Sequence, residues 1–194
     1  MKKWIVPIVI VALFLIYAVS ARNGLVNKDE LVNESWSNVE TNYQRRMDLI
    51  GNLVNTVKGY ANFEQETLIK VIDARSKATS VNIDAANLTP ETFERFQQAQ
   101  GELSNSLSRL LVTIEKYPDL KANTNFLELQ NELSRTENRI LIARRDYNAT
   151  VKDYNISVRT FPKNLVASAF GFQKKEMFKS DAGSEKAPKV DFSK

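Results

Sequence analysis

The sequence predicts an all-α fold, an antiparallel bundle of three to four long helices behind an N-terminal transmembrane helix. An uncharged run of eighteen residues occupies positions 4–21. Beyond it, apolar residues recur at steps of three and four, the period of an amphipathic helix. Five prolines and six glycines are spread thinly over 194 residues and leave long stretches without a helix breaker.

The first element is the uncharged run, WIVPIVIVALFLIYAVSA at 4–21. As a helix it is about 27 Å long, close to the hydrocarbon thickness of a bilayer. Trp4 and Tyr17 lie near its two ends, where amphipathic rings favour the membrane interface. The run therefore predicts a single-pass anchor in the cell membrane.

Orientation and processing of this anchor depend on weaker signals. Lys2 and Lys3 precede the run and favour an N-terminus inside, with the following domain on the extracytoplasmic, periplasmic side. The alternative is a cleaved signal peptide, because residues 18–20 are small enough for a cleavage point. The apolar run exceeds the usual signal core of about 7–15 residues, which favours the uncleaved anchor.

The second element is a helix over about 28–61, followed by a continuation over 64–79. Its stripe consists of Val32, Trp36, Val39, Tyr43, Ile50, Leu53, Val57 and Tyr60, with Arg46 on the same face. Gly51 and Gly59 predict a kink or a break, and Asn23-Gly24 predicts a hinge after the anchor. Residues 80–88 are predicted to form a loop.

The third element has the clearest start. Thr89 is predicted to cap the helix and Pro90 to occupy its first turn. The seam that follows is a coiled-coil-like heptad, polar only at Gln100. It consists of Phe93, Phe96, Gln100, Leu103, Leu107, Leu110 and Ile114, and Tyr117-Pro118 ends the segment.

The last long helix is predicted over about 125–159, followed by a short apolar patch that ends at Phe172. The resulting domain plan is a short basic N-terminus at 1–3, the anchor at 4–21, the bundle at 22–178 and a disordered tail at 179–194.

Composition excludes several chemistries. The chain has no cysteine and no histidine, so it has no disulfide, thiolate nucleophile, catalytic imidazole or HExxH zinc site. We expect no enzymatic activity, no cofactor and no metal. The net charge of +4 falls to about half once Lys2 and Lys3 are set aside, and no nucleic-acid-binding motif is present. We therefore expect no nucleic-acid partner.

Long segments of the chain resemble the LemA family of bacterial membrane-anchored proteins. They are QRRMDLIGNLVNTVKGYANFE at 44–64, YPDLKANTNFLELQNELSRTENRI at 117–140, RRDYNATVKDYN at 144–155 and FPKNLVASAFGF at 161–172. The resemblance covers nearly all of 27–178 and implies one N-terminal span before an antiparallel helical bundle. It implies no enzymatic activity. The family usually has proline at the place of Gly51 and often histidine at that of Phe63, so a role for that histidine cannot operate here.

Two groups of residues are candidate sites. The first is the charged cluster Arg45, Arg46 and Asp48, which could hold an anion or a lipid headgroup. The favoured alternative is a buried ion pair of Arg46 with Glu132 or Glu137 across the bundle. The second group is a motif for C-terminal packing or surface contact, which consists of Asn155, Arg159, Phe161, Pro162, Asn164 and Phe172. The patch 165–172, with Lys174 and Lys175, could instead lie on a membrane.

These observations favour a structural or protein-interaction component of the bacterial envelope. The expected partners are the lipid bilayer through 4–21, an unidentified membrane or envelope protein, and optionally a second copy of the chain. One alternative is a lipid-headgroup or anion-binding module at the membrane surface. The least favoured is an enzyme with carboxylate chemistry, using pairs such as Glu128 and Glu132.

Overall fold

A computed structural model describes residues 4–60, 64–81 and 88–179 of the chain. All regular secondary structure in these residues is helical, as the sequence predicts. The helices are α1 (Ile5–Lys58), α2 (Gln65–Ser80), α3 (Pro90–Ile114), α4 (Pro118–Lys121), α5 (Thr124–Arg159) and α6 (Lys163–Ala169). Phe63, most of the predicted loop at 80–88 and all but the first residue of the predicted tail lie outside the described residues.

Helix α1 combines the apolar segment and the first bundle helix in one element of 54 residues, about 80 Å long. The hinge predicted at Asn23-Gly24 is therefore wrong. A glycine inside a helix costs only about 1 kcal/mol. Ala21 and Leu25 on either side are 4% and 1% exposed, so packing against the bundle keeps this stretch helical.

The two other glycines of α1 differ in their outcome. The break predicted at Gly59 is confirmed, because α1 ends at Lys58 and Gly59 caps it. The break predicted as one possibility at Gly51 does not occur, since the helix continues through it. Arg75 on α2 donates from Nε to the Met47 carbonyl at 2.9 Å. A Cβ on Gly51 would lie 3.2 Å from Nη2 of Arg75, so Gly51 permits this close approach of α2.

The four main helices α1, α2, α3 and α5 run alternately up and down. Lys28 on α1 reaches Asp153 on α5, and Arg45 reaches Glu132, which makes the two helices antiparallel. The most extensive contacts between helices are those of α1 with α5 and of α2 with α3. The predicted cap of α3 is confirmed, since the Thr92 N–H donates to Thr89 Oγ1 at 3.2 Å and Pro90 follows directly.

The interior divides into two apolar clusters. We name them by their distance from the apolar segment of α1, which the sequence predicts to cross the membrane. The membrane-distal cluster joins α1, α2, α3 and α5 around Ile50, Leu53, Val57, Val71, Leu103, Leu110 and Leu133. The membrane-proximal cluster is rich in aromatic rings and contains Trp36, Tyr43, Phe93, Phe96, Tyr147, Tyr154 and Phe178. Between them lie Arg46, Gln100 and Thr136, which are buried and polar. We call these three residues the polar layer.

An extended segment, residues 172–179, follows α6 and packs along α5. We call it the strap. Asn155 donates to the Lys175 carbonyl and accepts from the Lys175 N–H, both at 2.9 Å. Asn148 pairs with the backbone of Phe178 in the same way, at 2.9 and 2.8 Å. We call each of these asparagine–backbone pairs a clamp. The seven residues of α5 between the two asparagines and the three residues of extended strap between Lys175 and Phe178 both span about 10 Å, so the two clamps match in spacing.

Replacing Asn155 by alanine is expected to release the middle of the strap. The backbone N–H and C=O of Lys175 would lose their partners, a loss of about 1–3 kcal/mol. We expect faster hydrogen exchange at the amides of Lys175 and Phe178, measured by mass spectrometry. Asn138→Ala, on an exposed face of the same helix, is the control. Equal exchange in the two variants would contradict the clamp.

Candidate functional site

A cleft opens beside the polar layer, at mid-height of the bundle, between α3 and α5 with α1 at its floor. Its volume is about 480 Å³. The walls are mostly polar, with Leu141 and Ile140 as apolar members. They consist of Tyr43, Arg46, Gln97, Gln100, Gly101, Ser104, Asn105, Glu137, Ile140, Leu141 and Arg144. Leu141 is 61% exposed at the rim.

Arg46 is the central charged group of this cleft. Its side chain is 3% exposed and pairs with Glu137 at 3.0 Å, and Glu137 is itself 44% exposed. The guanidinium also donates to Ser104 Oγ at 3.2 Å and to Gln100 Oε1, and it lies over the Tyr43 ring. These contacts neutralise a buried charge at the boundary of two apolar clusters, the condition that such a charge requires.

Arg144 lines the opposite side of the cleft and ties it to the strap. Its guanidinium donates to the Lys179 carbonyl at 3.1 Å and lies 4.6 Å from the centre of the Phe178 ring. Burial raises the pKa of the Tyr43 phenol, and the charges of Arg144 and Arg46 oppose that rise only in part. Tyr43 is therefore a neutral hydrogen-bonding group at physiological pH.

The structure separates the three predicted members of the charged cluster. Arg46 points inward to Glu137, one of the two carboxylates expected from the sequence. Arg45 pairs at the surface with Glu132 at 2.9 Å. Asp48 is exposed and accepts from Gln44 at 3.0 Å. Arg45 and Arg46 thus serve different surfaces, because adjacent residues of a helix point in different directions.

The predicted C-terminal motif also divides into two parts. Asn155 is buried and clamps the strap, and Phe172 packs at the edge of the membrane-proximal cluster. Asn164 is half-buried. Arg159, Phe161 and Pro162 are exposed at the end of α5.

The apolar segment of α1 stands apart from the bundle. It has a mean hydropathy of 2.4 over eighteen residues, and 6% of those residues are buried. In the described part of the chain it is the one helix with the length and composition of a membrane span. Trp4 is 73% exposed at its start and Tyr17 is half-buried near its end.

Acidic residues are dispersed. In the described ranges no group of three or more acidic side chains is placed to hold a metal ion. Glu132 pairs with Arg45 and with Arg135, and hydrogen bonds from these guanidiniums lower the pKa of its carboxyl group. Glu132 is thus an ionised surface carboxylate.

Sequence reasoning missed Arg144, Asn148, Gln97 and Asn105. Asn148 carried a usable signal, since it precedes Asn155 by seven residues and therefore lies on the same face of α5. Phe178 is an aromatic residue at the start of a polar stretch, which also indicates a packed position. Arg144, Gln97 and Asn105 carried no such signal, because each is an ordinary polar residue beside a buried stripe.

Fold and site together define a membrane-associated, all-α bundle protein with a polar cleft. Comparison with known families places it more narrowly. The LemA family model matches residues 35–192, and the chain belongs to that family.

Individual relatives have low sequence identity to this chain. The chain is 27% identical over 160 residues to Protein LemA of Metamycoplasma hominis, covering 82% of this chain and 69% of that protein. It is 26% identical over 195 aligned residues to Magnetosome protein MamQ 2 of Paramagnetospirillum magneticum, covering 90% and 70%. Magnetosome protein MamQ of Magnetospirillum gryphiswaldense is 26% identical over 175 residues, covering 80% and 64%.

Proposed function

We propose that this protein is a single-pass membrane adaptor of the bacterial envelope. Residues 4–21 cross the cell membrane, and the bundle stands on the extracytoplasmic side, where it binds a protein partner. The molecular activity in this proposal is binding, with no catalytic step and no cofactor.

The observation that carries this proposal is the continuity of α1. Its first part is apolar and exposed, and its second part supplies the core of the bundle through Trp36, Ile50 and Leu53. A helix that leaves large apolar side chains unpacked over about 27 Å needs an apolar surrounding, which a bilayer supplies. Because α1 is uninterrupted at Asn23-Gly24, the bundle follows the apolar segment directly, with no loop between them.

The cleft is the part of the bundle that fits a protein partner. Arg46 follows the apolar segment by roughly 25 residues of helix, which puts the cleft about 37 Å from the end of that segment. Leu141 at its rim combines apolar exposure with neighbouring hydrogen-bonding groups such as Asn105. Specific interfaces have this composition, an apolar anchor point within a polar rim.

The names of two relatives support this proposal. Both are, by name, magnetosome proteins. The names attach these two relatives to a cellular structure, which favours an adaptor role for this chain.

The lipid-headgroup alternative does not suit Arg45 and Arg46. In the proposed arrangement both lie about 37 Å beyond the membrane, more than the reach of any side chain. Their guanidinium groups are also engaged, with Glu132 and with Glu137, respectively. The basic and aromatic residues after α5 lie much closer to the anchor, since Phe170 contacts Arg22 at the end of the apolar segment.

The test is photo-crosslinking in cells of the full-length protein with a photoreactive amino acid at Leu141. We expect a discrete crosslinked product in the membrane fraction, and we expect Asn105→Arg to abolish it by filling the cleft. Val112 on α3 is the matched control position, since it is apolar and 70% exposed but does not line the cleft.

Each outcome separates the alternatives. A product at Leu141 that is absent at Val112 supports the adaptor, and a product of twice the chain mass identifies a second copy as the partner. No product at Leu141, or the same products at both positions, would contradict the cleft as the partner site.

A further inference from the structure

The end of α5 lies at the same height as the end of the apolar segment of α1. Lys28 Nζ donates to the Asp153 carbonyl at 3.4 Å, and the two helices are antiparallel. Six residues further along α5, Arg159 therefore stands level with Arg22. A second contact supports this height, because the Arg22 guanidinium lies 5.3 Å from the centre of the Phe170 ring. The turn after α5 and all of α6 thus lie where the apolar segment ends.

Helix α6 has a packed side and an unpacked side. Val166 and Ala167 are 4% and 1% exposed and face the bundle. Phe161 in the turn before α6, Leu165 on α6 and Phe170 at its C-cap are 74%, 53% and 54% exposed. We call these last three residues the foot. Three large apolar side chains exposed within ten residues at one end of a bundle favour a site of contact with another apolar phase.

The chain segment that contains the foot is basic. Between Ile156 and Lys175 the chain has no acidic residue, and its basic residues there are Arg159, Lys163, Lys174 and Lys175. Lys175 is paired with Asp29 at 2.6 Å, and Arg22 of α1 lies over the Phe170 ring. Arg159, Lys163 and Lys174 flank the foot along the sequence. Apolar side chains bordered by Lys and Arg are typical of segments that lie in the interface of anionic membranes.

We propose that the foot inserts into the boundary between headgroups and acyl chains of the same membrane that α1 crosses. This inference rests on the proposed function, because it requires α1 to span the membrane beside the foot. Together with α1, the foot gives the bundle a second membrane contact. Two contacts on different helices resist tilting, which a single span leaves free.

The experiment places a fluorophore beside the foot without removing any of its residues. The chain has no cysteine, so Ala169→Cys gives one labelling site between Leu165 and Phe170. The full-length protein is reconstituted in vesicles of phosphatidylcholine and phosphatidylglycerol that carry a nitroxide near the headgroups. We expect several-fold stronger quenching at position 169 than for the same fluorophore at Ser108→Cys, an exposed position on α3.

A third labelled variant, Leu15→Cys in the apolar segment, tests the membrane span separately from the insertion of the foot. Quenching at position 15 by a nitroxide deep in the acyl region reports the span itself. If position 15 is quenched and position 169 is not, the foot does not insert into the membrane, although α1 crosses it. If position 15 is not quenched, the proposed function fails first.

A double variant and a change of lipid test insertion against mere proximity. Phe161→Ser combined with Phe170→Ser should reduce the quenching at 169 several-fold and leave that at 15 unchanged. The bundle should keep its melting temperature, because both phenylalanines are exposed. Replacing phosphatidylglycerol by phosphatidylcholine should also reduce the quenching at 169. Quenching that is insensitive to the phenylalanines would overturn the proposal, and insensitivity to lipid charge would remove its electrostatic part.

Discussion

Replacing Trp36 by alanine is expected to lower the free energy of unfolding of the bundle by about 3–5 kcal/mol. Trp36 is fully buried and lies at the centre of the membrane-proximal cluster. Its ring is 5.3 to 6.0 Å from those of Phe93, Phe96, Tyr147 and Phe178, measured between centroids. These residues belong to α3, α5 and the strap, so a cavity at Trp36 loosens all three from α1 at once.

The measurement is thermal unfolding of the full-length protein in lipid nanodiscs, followed by circular dichroism. A loss of this size corresponds to a decrease of about 10 °C in melting temperature for a domain of this length. Trp36→Phe should be much milder, because it keeps most of the apolar volume and removes an indole N–H that has no acceptor in the described residues. Trp4→Ala is the matched control, since Trp4 is 73% exposed outside the bundle. Equal effects of Trp4→Ala and Trp36→Ala would contradict the claim that Trp36 stabilises the core of the bundle.

The second large effect is an asymmetry between the two partners of the buried ion pair. Glu137→Ala is expected to destabilise the bundle by about 2 kcal/mol, because it leaves the Arg46 guanidinium buried without a counter-charge. The half-exposed position of Glu137 keeps the effect below that of a fully buried pair. Arg46→Met is expected to cost less than about 1 kcal/mol, since methionine fills the space between two apolar clusters and Glu137 can turn to water.

The same unfolding assay measures both single variants and the double variant. The double variant should be no less stable than Arg46→Met, because the remaining carboxylate is then gone as well. If Arg46→Met proves more damaging than Glu137→Ala, the hydrogen bonds to Gln100 and Ser104 outweigh the ion pair. If instead Arg46→Met leaves stability intact and abolishes crosslinking at Leu141, Arg46 belongs to the partner site.

The sequence predicted the helices well because their signals are local and repeated. The residues predicted to form the apolar stripe from Val32 to Val57 are buried, and α3 begins at Pro90 with Thr89 as its cap, as predicted. The one polar residue of the α3 seam, Gln100, is explained by Arg46, because the buried guanidinium of Arg46 donates a hydrogen bond to it. These features depend on spacing along one helix, which the sequence displays directly.

The errors share a different cause. The hinge at Asn23-Gly24 and the break at Gly51 follow from local propensity, which tertiary contacts override at Leu25 and Arg75. The strap has no periodic signal, because an extended segment held by two asparagines of another element shows only isolated residues. The cleft depends on which side chains of α3 and α5 face each other, and the sequence alone does not specify that register.

Impermeant maleimide labelling of single-cysteine variants in intact cells tests the central claim, that α1 crosses the membrane and holds the bundle outside. One variant has cysteine before the apolar segment, Lys3→Cys, and the other has it on the bundle, Ser108→Cys. We expect Ser108→Cys to label in intact cells and Lys3→Cys only after lysis, with both proteins in the membrane fraction. Labelling of both variants from the same side would show that the segment does not span the membrane, and the reverse pattern would place the bundle in the cytoplasm.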